Sequence, residues 1–90
     1  MGNFDNFIER MKKEKEGFAE IWERNRIMRE LDGIRAYRLI TQQELSEKTG
    51  LKQEALSRFF NCKNEPKIGT VIKVAKALGL KLELTEDKEV

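Results

Sequence analysis

The chain has no histidine, a single cysteine and a single proline, and only six glycines in 90 residues. Low proline and glycine argue against disorder and against a turn-rich all-β fold. Cys62 has no second cysteine to bond with, which fits a reducing cytosol. Without histidine, Cys62 has no evident base, and neither a phosphate-binding glycine loop nor a metal-ligand cluster is present. The carboxylates are spread over helix faces, where solvation is their ordinary fate. The expectation is therefore a protein that is no enzyme and holds no cofactor and no metal. No apolar run reaches the roughly 18 residues of a membrane span, and Met1-Gly2-Asn3-Phe4 has no signal-peptide pattern. Asn6 stands where a myristoylation site needs Ser or Thr. A cytoplasmic protein with no membrane partner is expected.

What the chain does have is charge, at 38% of residues, beside 39% hydrophobic residues, enough for one compact core. The net charge of +2 hides an uneven distribution. Residues 1–30 hold seven basic and seven acidic side chains, residues 31–81 ten and five, and residues 82–90 one and four. The middle segment is the one suited to face a polyanion.

Apolar periodicity divides the chain further. Phe4, Phe7, Ile8 and Met11 follow the i, i+3, i+4, i+7 spacing of an amphipathic helix over residues 3–16. Gly17 breaks or bends it. A second stripe runs from Phe18 through Ile21, Trp22, Ile27, Leu31 and Ile34, fading at Leu39, and Asp32-Gly33 allows a kink within it. Thr41 and Glu44 form a capping-box pattern that opens a short helix ending near Lys48. Gly50 turns the chain into a helix over residues 52–60. A loop containing Pro66 leads to a helix over residues 69–78, closed by Gly79. Leu80, Leu82 and Leu84 alternate with charged residues, the period-two pattern of a strand. The resulting organisation is an N-terminal helical extension over 1–30, a central domain over 31–79, and a strand with an acidic tail over 80–90.

Short helix, glycine turn, short helix is the unit that lays its second helix in the DNA major groove. The residues from Thr41 onward, TQQELSEKTGLKQEALSRF, resemble the Xre or lambda-repressor-like family. Its TQxELAxxTGxxQxxxSR pattern is matched at Thr41, Gln42, Glu44, Leu45, Thr49, Gly50, Gln53, Ser57 and Arg58. Residues 66–80 are similar to that family's PxxxTlxkvAkALGl segment, so the likeness covers roughly residues 31–84. It implies an all-α, lambda-repressor-like helix-turn-helix bundle, here with extra N-terminal helices and a short C-terminal β-strand.

Leu45, Leu51, Leu56 and Phe59 are placed to pack the two helices together, and Ser46 is small enough to let them approach. Lys52, Gln53, Glu54, Ser57 and Arg58 are the outward positions expected to touch base edges, Gln53 and Arg58 suiting adenine and guanine respectively. By resemblance, Gln42 at a helix N-terminus contacts phosphate, as do Asn61 and Lys63 after the recognition helix. Two positions depart from the family pattern. Phe60 stands where relatives carry a glutamate that pairs with an arginine matching Arg35. Arg35 is then expected to lose that partner, and Phe60 to be either buried or exposed to a partner protein. Cys62 stands in place of a glycine, which would push Asn61 into the left-handed conformation.

The resemblance implies a sequence-specific repressor of double-stranded operator DNA. HigA-type antitoxins of toxin–antitoxin modules also combine helices before the helix-turn-helix with a short chain and an apolar C-terminal strand, which makes an autoregulating antitoxin with a toxin partner the sharper expectation. A stand-alone Xre-type regulator, or an interaction module that no longer binds DNA, are the alternatives. A homodimer paired through the strand at Leu80, Leu82 and Leu84 is expected, because a lone strand leaves its backbone unpaired. Phe18 and Trp22 are open to packing on the chain's own core or on a partner, and Phe4, Phe7, Ile8 and Met11 are expected to dock on a partner such as the toxin.

Overall fold

The computed structural model of the chain describes residues 6–10 and 17–87. Residues 6–10 are helical, and four further helices follow: α1 (Phe18–Tyr37), α2 (Gln42–Thr49), α3 (Gln53–Phe60) and α4 (Ile68–Ala77). Phe4 and Met11, expected on the first helical stripe, lie outside the described residues.

Gly17 begins α1 with a positive φ of 78°, which a residue without Cβ adopts at no steric cost. From there α1 runs 20 residues without a break at Asp32-Gly33. Met28 and Leu31 on one face are buried, and Asp32 bridges to Arg35 across the glycine at 2.8 Å. Packing on one side and an ion pair on the other together offset the glycine's weak helix propensity.

The start of α2 carries the expected capping box: the Glu44 amide donates to Thr41 Oγ1 at 3.0 Å, and the Thr41 amide donates to the Glu44 carboxylate. The core forms where the four helices meet. α2 packs on α3 and α4, and α1 packs on α3. Met28, Leu45, Leu56, Val74 and Leu78 are its best-buried members. Phe59 and Phe60 join them edge to face, with ring centroids 5.2 Å apart. No side-chain nitrogen or oxygen is buried without a partner among the described residues.

Among the described residues there is no β-strand, so the strand expected from Leu80, Leu82 and Leu84 is corrected. The alternation is real, but a strand needs a neighbour to accept its ladder, and the described fold supplies none. Leu80 instead completes the end of α4. Its amide donates to the Ala75 carbonyl at 2.8 Å, and the Gly79 amide donates to the Lys76 carbonyl at 2.9 Å. This is a Schellman closure with Gly79 left-handed, and the Leu80 side chain packs on the core as such a closure favours. The premise of a strand-paired dimer goes with the strand.

The same closure ends α1 and α3 without glycine. Leu39 and Cys62 each sit at φ 58°. The Ile40 amide reaches the Arg35 carbonyl at 3.0 Å, and the Lys63 amide reaches the Arg58 carbonyl at 3.1 Å. The expectation for Asn61 is therefore corrected: its φ is −87°, and Cys62 itself takes the left-handed conformation. The closing hydrogen bonds require that conformation at the residue after the cap, whatever its side chain.

Leu39 is 85% exposed and contributes almost nothing to the core. Leu39→Gly should therefore stabilise the fold by about 1 kcal/mol, the left-handed penalty less part of the glycine's unfolded-state entropy. Urea unfolding measures it, and an unchanged or lower midpoint would show that no strain resides there. Cys62→Gly should gain less, because the half-buried thiol packs on the core.

Candidate DNA-binding site

The turn between α2 and α3 decides where α3 points. Gly50 closes α2 at φ 77°, and its amide donates to the Ser46 carbonyl at 2.8 Å. Thr49 Oγ1 donates to the Leu45 carbonyl at 2.8 Å and accepts the Leu51 amide at 3.1 Å. The Ser46 hydroxyl donates to the Leu51 carbonyl. Ser46 is thus more than a small residue between helices. With Thr49, it stitches the turn to the end of α2 and satisfies backbone groups that a helix terminus leaves open. Below the turn, Leu45 and Leu56 are fully buried and Leu51 packs on the same core, as the sequence predicts.

Leu56, Phe59 and Phe60 occupy one side of α3. Helical spacing then places Glu54, Ser57, Arg58 and the following Asn61 on the opposite side. Lys52, Gln53, Glu54 and Arg58 are exposed, whereas Ser57 is half-buried and accepts a 3.4 Å hydrogen bond from the Asn61 amide group. Asn61 and Lys63 are exposed at the end of α3, and Gln42 is half-buried in the first turn of α2. Among the described residues, no ion pair engages Lys52, Arg58 or Lys63, so these cations remain open to an outside anion. The sequence reading passed over Ala55, which is exposed on the flank of α3. It is small enough for close approach of a base edge and apolar enough for a thymine methyl. A hollow of about 670 Å³ beside α3 also brings Asn64 and Lys67 of the following loop next to Lys52 and Arg58. Only the fold makes that juxtaposition visible, because the loop residues carry no periodic signal.

Phe60 is buried, at 7% exposure, rather than offered to a partner. With Phe at position 60, Arg35 has no carboxylate there, as the sequence implies, and other groups hold it. Its guanidinium donates to Asp32 at 2.8 Å and to the Ile40 carbonyl at 2.7 Å, and lies 5.6 Å from the centre of the Phe60 ring. A cation over an aromatic face stands where the family has an ion pair, and it still ties α1 to the end of α3. A double-mutant cycle of Arg35→Met and Phe60→Leu should give a coupling of about 0.5–1 kcal/mol. Strict additivity would show that the stacking contributes nothing.

Of the remaining sequence-derived positions, Ile8 is buried and Phe7 is 48% exposed. Phe18 and Trp22 stack on each other, with centroids 6.4 Å apart. Leu82 and Leu84 are exposed. No helix among the described residues is long and apolar enough to cross a membrane.

No curated protein and no solved structure matches the chain significantly. A family model described as helix-turn-helix matches residues 34–84, more than half of the chain. That span contains the capped α2, the stitched turn, the exposed α3 and the α4 that supports them. The chain belongs to the Xre and lambda-repressor-like helix-turn-helix family of DNA-binding transcriptional regulators.

Proposed function

We propose that the protein is a repressor that reads operator DNA with α3. The observation that carries this reading is the outward face of α3, exposed and free of ion pairs, directly opposite the side sealed by Leu56 and Phe59. Arg58 donates bidentately to a guanine edge, Gln53 donates to N7 and accepts from the N6 amino group of an adenine, Glu54 serves as an acceptor, and Lys52, Ser57 and Ala55 are contacts along the flank. Gln42, Asn61 and Lys63, joined by Lys67, hold phosphates on either side and set the register. An eight-residue helix spans only a few base pairs, so two copies on a two-fold site, about one turn or roughly 34 Å apart, supply specificity.

The finer reading is an antitoxin that represses its own operator and neutralises a partner protein in the cytoplasm. The N-terminal residues outside the family match support it over a stand-alone regulator. The burial of Phe60 removes that ring as a partner contact, one feature that would favour the third alternative, a module without DNA binding.

Arg58→Ala should lower affinity for the cognate site by about 1–3 kcal/mol and relax preference at one base pair. Lys63→Ala should weaken every duplex alike and flatten the dependence on salt. Titration of labelled duplexes across a salt series separates the two. Full affinity in Arg58→Ala would remove α3 from the base-reading role.

A further inference from the structure

A groove of about 770 Å³ runs between the first half of α1, the outer side of α4 and the C-terminal segment. Its floor is apolar: Ile27, Met28 and Val71 come from the core. Its walls are apolar as well, with Ile68 at 71%, Ile72 at 39%, Leu82 at 42% and Leu84 fully exposed. Continuous apolar surface of this kind on a small charged protein marks a contact surface. Four carboxylates, Glu20, Glu23, Glu65 and Glu83, line the same groove against one cation, Arg24. Arg26 engages Glu23 at 3.0 Å and Lys81 engages Glu83 at 3.5 Å, whereas Glu20 and Glu65 have no ion-pair partner among the described residues.

We infer that this groove receives an amphipathic, basic-flanked helix of a second protein. The apolar trough suits a helix with anchors at i, i+3, i+4 and i+7, and the acidic rim selects lysine and arginine beside those anchors. DNA is repelled by the same rim. A second copy of this chain is disfavoured, because a two-fold interface lays a patch on its own copy and would bring two linings of four carboxylates and one cation together. The inference deepens the antitoxin reading and rests on it for the existence of the partner. It also accounts for the alternation of Leu82 and Leu84, which furnish a groove wall rather than a ladder.

The test uses the full chain and two synthetic helical peptides with leucines at i, i+3, i+4 and i+7, one flanked by lysines and the other by glutamates. Fluorescence anisotropy should show the lysine-flanked peptide binding about fivefold tighter at low salt, with the difference shrinking as salt rises. Glu20→Lys with Glu65→Lys should abolish or reverse that preference, and Ile68→Lys with Ile72→Lys should abolish binding of both peptides. Duplex binding by α3 should persist in each variant, which reports an intact fold. Equal affinity for the two peptides, or binding indifferent to Ile68 and Ile72, overturns the inference. So does a wild-type dimer in sedimentation that the isoleucine substitutions dissolve, since a second copy would then fill the groove. Failure of duplex binding in the wild-type chain would instead count against the operator reading and leave the peptide result to stand alone.

Discussion

The helix-turn-helix of this chain depends on the burial of Leu45 and Leu56 on either side of a three-residue turn. Two eight-residue helices are too short to persist in water by their own hydrogen bonds. Their stability comes from that shared apolar contact and from Val74 of α4 and its capping residue Leu78 in the same core. Burying one side of α3 is also what presents the other. Stability and recognition are therefore two faces of one helix, and a substitution that loosens the first misaims the second.

The departures from the family pattern show how a constraint can be met by other chemistry. Where an ion pair between α1 and α3 is usual, a guanidinium lies over a buried ring and reaches a carbonyl and a neighbouring carboxylate. An arginine–aromatic contact suits a partly buried position, because the ring covers the weakly hydrated guanidinium while its other donors stay bonded. Where glycine usually ends the recognition helix, a cysteine takes the left-handed conformation. In both places side chains other than those of the family pattern occupy the position.

Most of the fold was legible in the sequence because helices are written in short-range periodicity. The capping box at Thr41 and Glu44, the turn at Gly50 and the apolar set at Leu45, Leu56 and Phe59 all declare themselves within a few residues. What escaped depends on long-range partners. Leu80, Leu82 and Leu84 carry a strand pattern, yet no local rule says whether a ladder partner exists. The burial of Phe60 and its contact with Arg35, 25 positions away in the chain, could not be read from spacing. The outward residues of α3 follow from period 3.6, which assigns faces, whereas Asn64 and Lys67 join them only because the fold places the loop beside the helix.

The central claim is that α3 and its flanking turns, and not the acidic-rimmed groove, form the DNA surface. Amide chemical-shift mapping of the isotopically labelled chain titrated with duplex DNA tests it most directly. The account predicts perturbations at Gln42, Gln43, Lys52, Gln53, Glu54, Arg58, Asn61 and Lys63, with Glu20, Ile72 and Leu82 unmoved. Perturbations concentrated on α1 and the outer side of α4, with α3 silent, would contradict it.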